Sequence, residues 1–403
     1  MKKEDRRSFL KSSLAGLSGA ALLRSDLLRG LETTNSASAT PGLPSRVLGK
    51  TGLSIPLISL GAGNSSASGF VRGAYESGVK MFFSATYYGE GNNERLVGEG
   101  LKGLPRDSFL VGSAVPPDGL DMRSGKFLNG FDGQAYMKKT EECLKRFGLD
   151  YIDFFLFPFA GKKEMVLNEE VLKVMEQIKK KGMTRYLGIA SHSDMEEALN
   201  SAAGSGVYDI AMISYNFKTG NLDSLDKAIE NAAKSGMGIV AMKTTAGAYR
   251  NKSGPQLNSD AALKWVLQNK NISSIVSGMS SLEELNKNLK MINDLKMTDQ
   301  DKKDLNLAIF DHPEGIYCQQ CRECVPQCKA NLDIPTIMRS YMYAYGYHNL
   351  PQAWHTYIAT GSSSNPCSDC NDCAVRCISG FDVKGKVSDI SRLSAIPGDL
   401  VMV

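Results

Sequence analysis

Eight cysteines near the C-terminal end constrain this chain more than any other feature. Cys318, Cys321, Cys324 and Cys328 form one run; Cys367, Cys370, Cys373 and Cys377 form another. Both have the spacing C-x-x-C-x-x-C-x-x-x-C, and the second repeats the first 49 residues further on, Cys367 against Cys318. The residues after them correspond as well: Leu332-Asp333-Ile334 follows the first run and Phe381-Asp382-Val383 the second. The region is therefore a duplicated unit. An iron–sulfur cubane needs thiolates that converge on a small volume, and three of them two residues apart can wrap three irons.

In such a run the fourth cysteine points away, onto the other cluster. The expected ligand sets are Cys318, Cys321, Cys324 with Cys377, and Cys328 with Cys367, Cys370, Cys373, for two [4Fe-4S] clusters. The run resembles that of bacterial two-cluster ferredoxins. The proline usual after the fourth cysteine is Lys329 in one half and Ile378 in the other. Zinc is the competing metal, but zinc sites use paired cysteines, usually four per ion. Disulfides are the natural state of cysteines in an exported protein, and the N-terminus bears on that choice.

Residues 1–39 read as a twin-arginine signal peptide. Lys2, Lys3, Arg6 and Arg7 give a basic start, Arg6-Arg7-Ser8-Phe9-Leu10-Lys11 carries the paired arginines, and an apolar run follows from Leu14 to Leu23. Ala37-Ser38-Ala39 offers a small-residue cleavage site. This route exports folded proteins, so clusters are loaded before export and their thiolates cannot pair as disulfides outside. The expected location is the periplasm. No later apolar stretch is long enough to span a bilayer. The net charge of +4 over 403 residues is too small and too spread to argue for nucleic acid. Cys143 stands alone in a helical pattern and reads as core.

From residue 45 to 310 short apolar runs alternate with amphipathic helical ones. Strands are expected at Ile55–Leu60, Lys80–Ser84, Ser108–Ser113, Tyr151–Phe157, Thr184–Ala190, Tyr208–Ile213, Gly238–Lys243 and Ser273–Ser277. Helices are expected at Asn93–Leu101, Gln134–Arg146, Glu169–Lys180, Asp223–Lys234 and Ser280–Asn293. Eight strand–helix units in roughly 265 residues is the size of a (β/α)8 TIM barrel. No G-x-G-x-x-G follows the first strand, which counts against an open doubly wound sheet. Residues 311–390 then form a small α-rich, ferredoxin-like domain, and 391–403 a tail. Asp333 and Asp382 each read as a helix cap, with Pro335 in the first turn of the helix after Asp333. The aromatic stretch Tyr341, Met342, Tyr343, Tyr345 and Tyr347, with His348, Trp354 and His355, reads as ordinary helix core, with packing over the clusters or the barrel mouth as alternatives.

The barrel region resembles the aldo-keto reductases, and the cysteine domain that of the family's iron–sulfur branch. Arg46-Val47-Leu48-Gly49-Lys50-Thr51-Gly52-Leu53 is similar to the hairpin that plugs the base of their barrel. Tyr88-Gly89 with Asn93-Glu94 and Leu96-Val97-Gly98-Glu99, then Leu149-Asp150-Tyr151-Ile152-Asp153, Gly188-Ile189-Ala190-Ser191, Tyr215-Asn216, Ala241-Met242-Lys243 and Ser277-Gly278-Met279 with Asn288, are similar to the segments from the second strand to the eighth. The resemblance implies a site at the C-terminal strand ends, with a tyrosine as general acid flanked by an aspartate, a lysine and a histidine. The tyrosine matches Tyr88. The other positions fall on Phe83 (or Ser84 with a one-residue gap), Ala114 and Pro158. Without a lysine beside it, a tyrosine with an ordinary pKa of about 10 is a poor acid near neutrality.

Candidate catalytic residues are therefore Tyr88, His192 and Lys243. Candidate cofactor-binding residues, carried over from the resemblance, are Ser191, Asn216, Lys243, Ser277, Gly278 and Asn288. Other polar groups expected at the strand ends are Asn64, Tyr87, Glu90, Asn92 and Asn93. Phe82, Phe83, Phe157 and Phe159 are expected to line the same mouth. Ser280-Ser281 stand where the family often places a cation for the 2′-phosphate, and this counts with the export signal against NADP(H). The leading expectation is an exported iron–sulfur oxidoreductase: the barrel binds a small sugar or carbonyl substrate, and the clusters relay electrons to a redox partner. The alternatives are a non-enzymatic electron-transfer or binding protein on a reductase-derived barrel, and a conventional NADPH-dependent carbonyl reductase. Clusters acting only as structural staples also stay open.

Overall fold

The computed structural model describes residues 42–121, 125–246, 257–309, 316–362, 364–370 and 372–401. The signal peptide expected at 1–39 lies outside the described residues. Eight parallel strands close into a barrel: β1 (Ile58–Gly61), β2 (Met81–Ala85), β3 (Leu110–Ala114), β4 (Ile152–Pro158), β5 (Thr184–Ser191), β6 (Ile210–Ser214), β7 (Gly238–Met242) and β8 (Ile272–Ser277). The outer helices are α1 (Ser68–Glu76), α2 (Asn92–Leu101), α3 (Gly133–Phe147), α4 (Glu169–Lys180), α5 (Met195–Ser205), α6 (Leu222–Lys234), α7 (Ser259–Gln268) and α8 (Leu282–Met291), followed by α9 (Asp299–Ile309).

Barrel strands are covered on both faces, so they read as continuous apolar runs rather than alternating ones. Their side chains still alternate between lumen and helix layer. Met81, Phe83, Phe154, Leu156, Met212 and Met242 pack inside the barrel. Phe82, Phe155 and Phe157 pack outward against the helices. Of the four phenylalanines expected at the mouth, Phe82 and Phe157 are therefore misplaced: each is one residue off the inward register.

Two expected strands are also reshaped. The run Ile55–Leu60 serves two structures. Ser54–Pro56 pairs antiparallel with Ser45–Val47, and β1 begins only at Ile58. This hairpin drives Leu48 and Ile55 into the lumen from below. A glycine is required at its tip: Gly49 has φ +49°, and a Cβ there would lie 2.4 Å from the Gly236 carbonyl oxygen. Arg106–Ser108, at the start of another expected strand, is instead a 3-10 turn, with Ser108 Oγ donating to the Pro105 carbonyl at 2.6 Å.

The C-terminal region packs helices α10 (Ile334–Tyr345), α11 (Leu350–Ile358) and α12 (Val383–Ile390) around Ile337, Met338, Met342, Tyr357, Val387 and Ile390. Residues 391–395 continue as a 3-10 helix and Gly398–Val401 as a short helix. The stretch expected as a tail is thus part of this layer, and Trp354 Nε1 donates to the Ile396 carbonyl at 3.0 Å. Asp382 caps α12 through the Gly385 amide at 2.9 Å. Asp333 occupies the corresponding position before α10 but makes no capping bond. Its carboxylate faces Arg322 instead, Oδ1 to Nη1 at 3.7 Å. Among the described residues no helix is long and apolar enough to cross a membrane.

Candidate active site and iron–sulfur domain

A cavity sits over the C-terminal ends of the barrel strands, with a volume of about 130 Å3. Phe83, Ala114, Leu156, Met212 and Met242 form its floor, and Asn64, Tyr87, Tyr88, His192 and Lys243 its walls. Its roof comes from the C-terminal region: Tyr343, Tyr347, Asn349 and Gln352. Asn349 Nδ2 pins that roof to the loop after β1, donating to the Gly63 carbonyl at 3.3 Å and Asn64 Oδ1 at 3.2 Å.

Lys243 follows β7 directly and adopts φ +56°, a left-handed conformation that costs a non-glycine residue free energy and persists only where surroundings hold it. Asn216 supplies the hold: its Nδ2 donates to the Lys243 carbonyl at 3.1 Å. Lys243 Nζ then reaches across to the roof and donates to Tyr343 Oη at 3.0 Å. The lysine is therefore bonded to a tyrosine of α10 and not to Tyr88. Burial, and then Tyr87, Tyr343 and Tyr347, push the Tyr88 phenol well above its ordinary range. Burial acts the same way on Tyr343, but the charges of Lys243 and Arg339 and the lysine's hydrogen bond outweigh it and lower its pKa.

His192 also lines the cavity. Its Nδ1 is buried with no hydrogen-bond partner among the described residues. Burial, then Arg339 and Lys243, hold its pKa well below the ordinary histidine value. The folded state thus binds fewer protons here than the unfolded chain. The corresponding stability is complete above about pH 6.5 and is lost as pH falls from there through the lowered folded value. His192→Asn is expected to flatten that limb of a thermal-midpoint-against-pH curve. An unchanged slope below pH 6.5 would show that the imidazole is not held neutral.

The expected cofactor-binding residues are largely engaged with their own chain. Ser191 Oγ donates to the Ser193 carbonyl at 2.8 Å, and Asn288 Nδ2 donates to Ser277 Oγ at 3.2 Å. Gly278 lies against the Asn64 amide. Asn216 Nδ2 donates to Tyr317 Oη at 2.7 Å, so the residue beside Cys318 plugs into the barrel's sixth strand end. Tyr317 Oη is also 3.2 Å from Ser214 Oγ. Of the other expected polar groups, Asn93 turns inward. It accepts from Ser84 Oγ at 2.6 Å and donates to the Ala62 carbonyl at 2.7 Å.

None of the nine cysteines is in a disulfide. Cys328, Cys367, Cys370 and Cys373 line one small cavity. Burial and then the neighbouring Cys324, Cys321 and Cys377 raise the Cys318 thiol to about 12, with only the Gln320 amide bond opposing. The fourth cysteine of each run is therefore beside the first three of the other. Gln320 and Arg322, between the cysteines of the first run, have φ +61° and +64°, left-handed conformations that coil the backbone on either side of Cys321. Among the described residues no three metal-binding side chains converge on a single ion. A cubane asks for something else, because each thiolate binds a different iron. The donor set, four thiols around a small apolar cavity, fits such a cluster.

Residues 62–260 match the aldo/keto reductase family and residues 317–382 match the 4Fe-4S dicluster domain. Over residues 62–260 the barrel is similar to the aldo/keto reductase family. The barrel is 26% identical over 304 residues to an L-galactose dehydrogenase from Arabidopsis thaliana, a match covering 65% of this chain and 92% of the relative. It is 24% identical over 333 residues to an L-glyceraldehyde 3-phosphate reductase from Escherichia coli K12, covering 66% and 92%. An aldo-keto reductase from Bacillus halodurans in its holo form superposes with TM-score 0.53 at 19% identity, covering 66% of this chain and 95% of that one. One from Klebsiella pneumoniae in complex with NADPH gives 0.51 at 19%, with the same coverage; both likenesses concern the fold. The chain is an oxidoreductase of the aldo-keto reductase type carrying an iron–sulfur domain.

Sequence reasoning missed Tyr317, Arg339 and Asn349, and for Tyr343 it preferred helix core to the barrel mouth, the alternative that the structure bears out. Tyr343 sits in a Tyr-Met-Tyr-Ala-Tyr run whose even apolar character suits helix core. Met342 keeps that role, while Tyr343 and Tyr347 turn to the barrel mouth.

Proposed function

We propose that this chain is an exported iron–sulfur oxidoreductase whose barrel takes a small sugar or related carbonyl compound and exchanges its electrons with a carrier protein outside the cytoplasm. The observation that carries the reading is the shared site. The cavity over the strand ends is roofed by residues of the iron–sulfur region, and Tyr317, next to the ligand Cys318, is bonded into the same mouth. When loaded, the two clusters supply one-electron transfer. Cys318, Cys321, Cys324 and Cys377 would hold one, and Cys328, Cys367, Cys370 and Cys373 the other.

The chain's own residues do the rest. The walls and roof bind a molecule with several hydroxyls, and the apolar floor excludes water from beneath it. Phe83, Ala114 and Pro158 stand where the family's aspartate, lysine and histidine belong, so the ordinary acid of that site lacks its partners. The commitment of Asn216 to Tyr317, and Ser280-Ser281 in place of a cation, argue against NADP(H) as the working partner. The name of the Arabidopsis relative supports an aldose as substrate, and the Arg6-Arg7 leader supports export.

The test is anaerobic purification followed by incubation with a panel of aldoses, L-galactose first. About eight irons per chain and bleaching of the visible absorbance by an aldose, without added nicotinamide, are expected. Rapid NADPH-dependent reduction of simple aldehydes with the clusters untouched would overturn the reading.

A further inference from the structure

We propose that Tyr343, carried by the iron–sulfur region, is the acid–base group of the barrel cavity, with Lys243 of the barrel as the cation that holds its phenolate. This rests on the reading that the cavity is an active site, and names the group that moves the substrate's proton there.

The geometry comes from three elements. Helix α10 lowers Tyr343 onto the mouth, where its side chain is 6% exposed and lines the cavity. Strand β7 ends at Met242, and the left-handed turn at Lys243 redirects the lysine toward the roof. The Asn216 amide fixes that turn through the Lys243 carbonyl. The outcome is a 3.0 Å hydrogen bond from Nζ to Oη, with Nζ also 4.4 Å from the Tyr343 ring centroid and 5.1 Å from that of Tyr347. Arg339, one turn earlier on α10, is itself placed by Gln320 and Thr336 and adds a second positive charge.

The other titratable groups facing Tyr343 are Tyr87 and Tyr88 from the loop after β2, Tyr347 after α10, and His192 after β5. Burial raises the Tyr87 and Tyr88 phenols and lowers His192, so these three are neutral at pH 7. None competes with Lys243 and Arg339 for the phenolate. At Tyr88, the tyrosine that the barrel sequence points to, the charge of Arg339 is outweighed by burial and the neighbouring phenols, and among the described residues no lysine is seen bonded to its hydroxyl.

The step is a proton transfer alone. As acid, the Tyr343 Oη–H bond breaks and an O–H bond forms on the substrate's alkoxide oxygen; the negative charge moves to Oη, beside the Lys243 ammonium. As base, the same atoms run in reverse with a substrate hydroxyl. Charge and atoms balance in both directions, and the substrate's electrons take no part in the step. The substrate class is a small alcohol or its carbonyl counterpart, because the pair serves an oxygen that gains or loses a proton.

The experiment is a tyrosinate titration of the cluster-loaded protein, followed by near-ultraviolet difference absorbance with the clusters kept oxidised. One tyrosine is expected to ionise below all the others. Tyr343→Phe removes that first step, Lys243→Met moves it up into the buried tyrosines, and Tyr88→Phe leaves it in place. Retention of the early step in Tyr343→Phe, or its loss in Tyr88→Phe, would overturn the proposal. Iron content and far-ultraviolet circular dichroism report whether each variant folds. The titration needs no substrate, so it separates the two readings. An early step lost in Tyr343→Phe, with no aldose oxidised, sinks only the proposed substrate; aldose-driven bleaching with no early step sinks only the pair.

Discussion

Replacing Cys377 with alanine is expected to remove about half of the iron, some four of about eight atoms per chain, and to do so by emptying the site of the first cysteine run. Cys377 belongs to the second run by sequence, yet it lies beside Cys318 and Cys324. Cys328, from the first run, shares a cavity with Cys367, Cys370 and Cys373. Pairs of substitutions test this crossing, since changes acting on one unit do not add. Cys318→Ala with Cys377→Ala should cost no more iron than either alone. Cys328→Ala with Cys377→Ala should strip the protein of nearly all of it. Iron analysis and visible absorbance on anaerobic preparations give the answer. If Cys318→Ala with Cys377→Ala loses all the iron, each run serves its own cluster and the crossed assignment is wrong.

The placement of Cys377 beside the first run matches what the sequence led us to expect, because a run of this kind turns its fourth thiol away from its own three. The barrel was legible for a related reason: eight apolar runs separated by amphipathic helices admit few closed arrangements, and the expected Glu169–Lys180 helix recurs residue for residue. The site was legible only in part. Lys243 and His192 were found because strand ends in this architecture face the ligand. Their partner Tyr343 lies 100 residues from Lys243, and nothing local marks it. Whether a tyrosine of an aromatic helix packs into its own core or over a neighbour's mouth depends on how two layers dock, and periodicity carries no such information. The same limit explains Phe82 and Phe157, where one residue of register reverses the face.

Glu94 shows another case, a residue that sequence reasoning assigned no role beyond a segment similar to the family's loop and helix after the second strand and that the structure makes a clamp, and its removal should be costly. Its side chain is fully buried on α2. Oε1 accepts from Ser113 Oγ at 2.6 Å and from Cys143 Sγ at 3.0 Å, and Oε2 accepts from Arg146 Nε. One carboxylate thereby ties β3, α2 and α3 together directly below the mouth, where Ser113 precedes Ala114 of the cavity floor. Burial and the adjacent carboxylate keep the Cys143 thiol protonated, so it serves as a donor. Gly91, with φ +84°, lets Arg146 pass: a Cβ there would lie 2.3 Å from the arginine's Cδ. Removing one partner of a buried ion pair strands the other charge, at about 3–5 kcal/mol. Glu94→Ala is expected to lose stability in that range by urea denaturation, and Arg146→Ala to come close to it. Replacing both by apolar residues of similar volume, Glu94→Leu with Arg146→Met, should cost less than Glu94→Ala alone, because no charge is then left unpaired. A loss under about 1 kcal/mol for Glu94→Ala, the range of exposed ion pairs, would mean that water reaches the site and that the clamp does not hold the floor of the cavity.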